Sequence, residues 1–157
     1  MRHDVPQTIT GEAMNVDYCV VDIEGDEGYE QYPYTDSEGY LSIGIGMCID
    51  KRVPGTGMSR EVARYAVRLK VQQIAKDLTT AIPWWVNQPE PIQNVLVNMS
   101  YQLGVNGLLG FKHFLALCQE GSYLDAANAG LDSQWAKQCP TRAKKLMDVV
   151  NGEFYKE

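Results

Sequence analysis

Residues 22–46 read DIEGDEGYEQYPYTDSEGYLSIGIG, and they hold seven of the chain's 20 acidic residues: Asp22, Glu24, Asp26, Glu27, Glu30, Asp36 and Glu38. Upstream, Val16, Val20 and Ile23 fall at helical spacing with Cys19 on the same face, Asn15 suits an N-cap, and Gly28 suits the residue after a helix end. Downstream the pattern changes to period two at Leu41, Ile43 and Ile45, with turn residues at Asp36–Gly39. The stretch therefore predicts a helix ending near Asp26–Glu27 that runs into a small antiparallel sheet. Gly28, Gly39, Gly44 and Gly46 are read as backbone requirements of that hairpin.

Two of the carboxylates differ in setting. Glu27 closes a helix, where unpaired carbonyls present the negative end of the dipole and favour the protonated form. Asp36 falls in a polar turn, where water and backbone amides favour the ionised form. Opposed proton affinities on neighbouring elements are what glycosidic hydrolysis requires. For any single carboxylate of the seven, a solvated acidic surface is the simpler explanation.

Beyond this stretch the chain turns helical. Residues 51–58, KRVPGTGM, read as a loop. Val67, Val71, Ile74 and Leu78 mark one face of a long helix stopping before Ile82-Pro83. Pro89 and Pro91 introduce another, with Ile92, Val95, Leu96, Met99 and Leu103 on one face. Val97 and Tyr101 lie opposite, which predicts a helix apolar nearly all round and central to its domain. Gly104, Gly107 and Gly110 punctuate a loop before shorter helices around 111–118, 123–130 and 140–150. Of the adjacent Trp84 and Trp85, one ring is expected in the core and one at the surface, and Trp135 is expected in the core.

Composition narrows the functional classes. The 157 residues are 45% hydrophobic, enough for an ordinary core. A formal charge of −6 argues against attachment to nucleic acid or an anionic membrane by bulk charge. No apolar run is long enough to span a bilayer, and MRHDVPQTITGEAMN lacks the apolar core of a secretory signal. Cys19, Cys48, Cys118 and Cys139 form no CxxC pair, so they read as buried small hydrophobes or free thiols, with no metal site expected.

The string Glu27-Gly28, Asp36, Glu38-Gly39-Tyr40 and Ser42-Ile43-Gly44-Ile45-Gly46 resembles the active-site hairpin of phage-type lysozymes, glycoside hydrolase family 24. That family carries a Glu, an Asp nine residues on, and a Thr six further within a T-I-G-x-G run. The resemblance continues through Asn98-Met99-Ser100-Tyr101-Gln102-Leu103-Gly104 and Gly110-Phe111. It resumes at Ser133-Gln134-Trp135, Gln138 and Arg142-Ala143-Lys144-Lys145, so it covers most of residues 16–150 in order. The segment after Gly46 is similar to that of the family's more compact members.

The resemblance implies an α+β, two-lobed lysozyme fold in one domain. A loose arm at 1–14 would precede a small helix-plus-antiparallel-sheet lobe at about 15–58 and a larger helical lobe at about 59–157. It implies a muramidase that cleaves the β-1,4 bond between N-acetylmuramic acid and N-acetylglucosamine, with no cofactor and no metal. Glu27 would be the general acid. Asp36 would position or deprotonate water, or stabilise oxocarbenium charge, in an inverting reaction whose carboxyls stand roughly 6.5–9.5 Å apart. Ser42 stands where the family usually has Thr, keeping the hydroxyl and losing the rotamer restraint of the methyl. Gln102, Asn98 and Glu38 would bind substrate, and Asp26 and Arg142 would pair to support the acid.

Two departures from the family stand out. Met47 replaces a His that often follows the Gly-Ile-Gly run, and the chain is acidic where many such lysozymes are basic. Adhesion to an anionic wall would then fall to a patch of Lys137, Arg142, Lys144 and Lys145, or to another domain. The implied partner is bacterial peptidoglycan, with no nucleic acid and no stable membrane insertion. A lysis enzyme without a signal would wait in the host cytoplasm for a holin-type lesion to admit it to the periplasm; a virion-borne enzyme would belong to a larger protein. The competing readings are an inactive wall-binding or assembly module with this fold, and a lytic transglycosylase.

Overall fold

The computed structural model describes residues 16–49 and 57–152. The expected N-cap Asn15, the arm at 1–14 and most of the 51–58 loop lie outside the described residues. The chain divides into two compact units, one ending at Ala63 and the other beginning at Arg64.

The first unit opens with helix α1 (Val16–Glu27) and continues into strands β1 (Glu30–Thr35), β2 (Leu41–Gly44) and β3 (Met47–Cys48). The strands form an antiparallel sheet in the order β1-β2-β3. Gly28 ends α1 at φ +73°, its amide donating to the Glu24 carbonyl at 2.9 Å. Register between β1 and β2 runs Tyr34 to Ser42 and Thr35 to Leu41, then shifts before Glu30 meets Gly44. Pro33, which has no amide to donate, falls inside that irregular stretch of an edge strand. β3 pairs Met47 with Ile43 and Cys48 with Ser42.

The alternation at Leu41, Ile43 and Ile45 marks a strand, but the buried residue of β2 is Ser42, and Leu41 is exposed. A polar side chain occupies the covered face because it has a carboxylate to bind there, as the next section describes. Val20 and Ile23 of α1 are also exposed.

The second unit carries most of α2 (Arg60–Ala81), then a 3₁₀ turn (Pro83–Asn87) and α3 (Glu90–Leu103). Five further helices follow: α4 (Val105–Leu109), α5 (Lys112–Glu120), α6 (Tyr123–Leu131), α7 (Gln134–Gln138) and α8 (Pro140–Val150). Ile92, Val95, Leu96 and Met99 of α3 are buried, and α3 packs against α4 and α8 while α6 packs against α5 and α8. α3 is thus the centre of the unit, as its apolar face predicts. It is not apolar all round in effect, because Tyr101 points its ring to solvent and Val97 is half-buried.

Two other expectations need correction. Only Ile74 and Leu78 of the α2 face are buried; Val67 and Val71, nearer its N-terminus, lie on an exposed length of helix. The loop expected at 104–110 contains α4, and α7 was not foreseen at all. Each has five residues, too few to show a helical period in sequence. Ser133 caps α7, its hydroxyl accepting from the Ala136 amide at 3.1 Å. Trp85 and Trp135 are buried as expected, whereas the other ring of the pair, Trp84, is half-buried and packs against the core instead of lying at the surface. Among the described residues, no helix is long and apolar enough to cross a membrane.

Candidate active site

The hairpin unit builds its chemistry from backbone amides. Asp36 opens the turn between β1 and β2, with its amide donating to the Tyr40 carbonyl at 2.8 Å and its carbonyl accepting from the Gly39 amide at 3.0 Å. Its Oδ1 accepts from the amides of Tyr40 at 2.8 Å and Glu38 at 3.0 Å. Its Oδ2 accepts from the Ser42 hydroxyl at 3.2 Å. The Tyr40 amide acts most strongly on this carboxyl and favours its charged form. Partial removal from water works the other way, and the Glu38 amide, the Ser42 hydroxyl and the Gly39 amide restore the balance. The net result is an Asp36 pKa below the ordinary carboxylate value, as its turn setting predicts.

Ser42 is therefore a direct partner of Asp36. The residue is 2% exposed, and its hydroxyl is already committed to the carboxylate. Glu38 is exposed, and its backbone amide contributes to the Asp36 cradle.

Glu27 is the last residue of α1. Its carboxyl lies over the turn between β2 and β3, against the bare Cα of Gly46. A Cβ placed on Gly46 would stand 2.5 Å from Glu27 Oε2 and 2.9 Å from Cδ. The hairpin unit thus holds Glu27, Asp36, Ser42 and Glu38, and it directly joins Asp36 to Ser42.

The helical unit organises a second set. The Gln102 side chain is held from two sides: Trp135 Nε1 donates to its Oε1 at 3.0 Å, and its Nε2 donates to Cys139 Sγ at 3.1 Å. Trp135 in turn meets the Phe111 ring edge to face, with centroids 6.0 Å apart. Asn98 takes a fork from Arg142, whose Nε and Nη2 reach its Oδ1 at 3.0 and 2.6 Å, with Nη2 also 3.3 Å from the Asn98 carbonyl. The Arg142–Asn98 clamp and the Cys139 contact escape sequence reasoning, because each joins residues at least 37 positions apart. Asp26 is exposed in the last turn of α1.

Of the expected basic patch, Lys137 and Lys145 are exposed, whereas Lys144 is bonded to Asp148 at 2.6 Å. Cys48, Cys118 and Cys139 are free thiols, and burial pushes the Cys118 pKa up to about 12, which leaves it inert. A cavity of about 520 Å³ in the helical unit, lined by Lys70, Ile74, Asp77 and Ser100 among others, contains none of the expected site residues. No group of three or more His, Cys, Asp or Glu among the described residues is placed to hold a metal ion.

Residues 24–151, which run from the end of α1 through the last helix, match the phage lysozyme family. The chain belongs to that family. It is a lysozyme-type glycosidase, and its fold is the α+β lysozyme fold. It is 28% identical over 150 residues to probable T4-type lysozyme 1 of Dictyostelium discoideum, covering 80% of this chain and 88% of that one. Probable T4-type lysozyme 2 of the same organism is 28% identical over 158 residues, with 84% and 92% covered. The pre-baseplate central spike protein Gp5 of Enterobacteria phage T4 is 28% identical over 149 residues. There the match takes in 80% of this chain and only 26% of the relative.

Proposed function

We propose that this family member cleaves the β-1,4 bond between N-acetylmuramic acid and N-acetylglucosamine in peptidoglycan, by inverting hydrolysis. The single observation that carries the reading is the state of Asp36. Two backbone amides and a buried hydroxyl favour its ionised form, as suits a group that must polarise water while a second carboxyl gives up a proton. Glu27, on the same small unit, supplies that second carboxyl and protonates the bridging oxygen. Water polarised by Asp36 attacks the anomeric carbon from the opposite face, and the oxocarbenium charge that develops is stabilised by the same carboxylate. Ser42 acts through Asp36, holding Oδ2 so that the other lone pairs face water.

Gln102 and Asn98 are proposed to contact sugar hydroxyl or acetamido groups with the donors and lone pairs left over from their own clamps. Arg142, the expected partner of Asp26, spends its Nε and Nη2 on Asn98. The similarity to one quarter of a phage spike protein favours a wall-penetrating, virion-borne role within a larger protein. The alignment with most of the length of two T4-type lysozymes supports a lysozyme that acts as a domain of its own size; release through a holin-type lesion is the alternative role we keep for it.

Product analysis on purified sacculi tests the reaction. Reducing-end N-acetylmuramic acid released initially as the α-anomer is the expected result. A 1,6-anhydro product would make the protein a transglycosylase, and sacculus binding without cleavage would make it a wall-binding module.

A further inference from the structure

Two glycines where β2 passes into β3 share one backbone region, Gly44 at the end of β2 with φ +69° and Gly46 in the turn with φ +61°. Both conformations are ones that L side chains rarely adopt, so any replacement at either position carries backbone strain. Their surroundings differ. A Cβ on Gly44 would meet nothing within 4 Å. A Cβ on Gly46 would stand 2.5, 2.9 and 3.2 Å from Glu27 Oε2, Cδ and Cγ, and those three atoms are its nearest neighbours. At position 46, then, the missing side chain leaves a space that the Glu27 carboxyl fills.

We infer that Gly46 is a positioning residue for Glu27: its bare Cα is the seat on which the carboxyl rests, and that seat fixes where the acid's proton is presented. The inference rests on the reading of Glu27 as the acid. A carboxyl at the end of α1 has three rotatable bonds and no hydrogen bond of its own to Asp36 or Ser42. Contact with the bare Cα of Gly46 restricts where it can go. Beyond the backbone strain it shares with position 44, a methyl group at 46 would displace the far end of a flexible side chain. The cost of that displacement falls on the geometry of proton transfer, and the cost of the strain falls on the fold at both glycines alike.

The two glycines supply a matched test. Gly46→Ala, Gly44→Ala and Glu27→Gln are compared with wild type for thermal midpoint and for kcat and KM on purified sacculi. A second pair, Gly46→Asn and Gly44→Asn, repeats the comparison with a residue that enters the left-handed region more readily, so that a strain-induced loss of folding does not hide the answer. Substitutions at the two positions are expected to lower the midpoint by similar amounts. The Gly46 variants are expected to lose about 10- to 100-fold more kcat than their Gly44 counterparts at nearly unchanged KM. Equal kcat losses at the two positions, with Glu27→Gln inactive, would overturn the seat and leave Glu27 as the acid. An active Glu27→Gln would overturn the reading of Glu27 and the seat with it.

Discussion

The two units hold themselves together by different means. Every buried hydrophobic residue among those described lies between Ile74 and Val150, in the helical unit. Among the described residues of the hairpin unit the fully buried one is a serine, and their order comes from turns, strand register and a carboxylate that gathers backbone amides. Helices stacked around α3 draw on apolar burial, which is strong and indifferent to pH. A hairpin built on hydrogen bonds is weaker, but it places charged groups with precision. The division suits a glycosidase, whose carboxylates need fixed positions and access to water at once.

That contrast breaks first under core truncation. Phe114 is 2% exposed in α5, and Phe114→Ala is expected to destabilise the helical unit by about 3–5 kcal/mol, measured by chemical denaturation. A loss below about 1 kcal/mol would mean that burial is not what holds this unit. No truncation among the described residues of the hairpin unit should come close, since none of them is a buried apolar side chain.

The clamp on Asn98 gives a smaller effect. Arg142→Ala leaves the Asn98 Oδ1 without its two donors and should cost about 1–3 kcal/mol by the same measurement. Arg142→Lys should recover only part of this, because an ammonium cannot reproduce the fork.

Within the hairpin, Ser42→Ala removes one donor from Asp36 while Ser42→Thr keeps it. The alanine variant is expected to lose roughly tenfold in kcat, and the threonine variant to match or exceed wild type by virtue of its stiffer χ1. Equal activity in all three would detach Ser42 from the chemistry.

The smallest effect concerns pH. The folded pKa of Asp36 lies below its unfolded value, so its contribution to stability is fully present above the unfolded value. It is lost as pH falls through the lower, folded value. The amide resonances of Glu38 and Tyr40 should therefore report the turn loosening only below the ordinary carboxylate range. Asp36→Asn should remove that pH dependence, and a transition surviving in the variant would assign it to another group.

What the sequence discloses follows the same division. The hairpin is legible because its causes are local: a glycine that ends a helix, an aspartate that folds amides onto itself, and two glycines that turn a strand. Asp36 sees its partners within six residues, so a turn setting suffices to anticipate its ionised state. The helical unit discloses its long helices through periodicity, yet hides its polar clamps. Arg142 and Asn98 are 44 residues apart, and nothing in either neighbourhood marks the other. Gly46 falls between these cases. Its turn conformation is legible, whereas the carboxyl resting on it comes from 19 residues upstream.

The most direct test of the account is hydrolysis of purified sacculi by Glu27→Gln, followed with the thermal midpoint of the same preparation. Glutamine keeps the shape and cannot donate the proton, and residue 27 is exposed, so folding should be untouched. The account predicts an unchanged midpoint and a kcat lower by about 10²- to 10⁴-fold. A variant that clears sacculi at the wild-type rate would contradict it, and the hairpin unit would lose its claim to the acid.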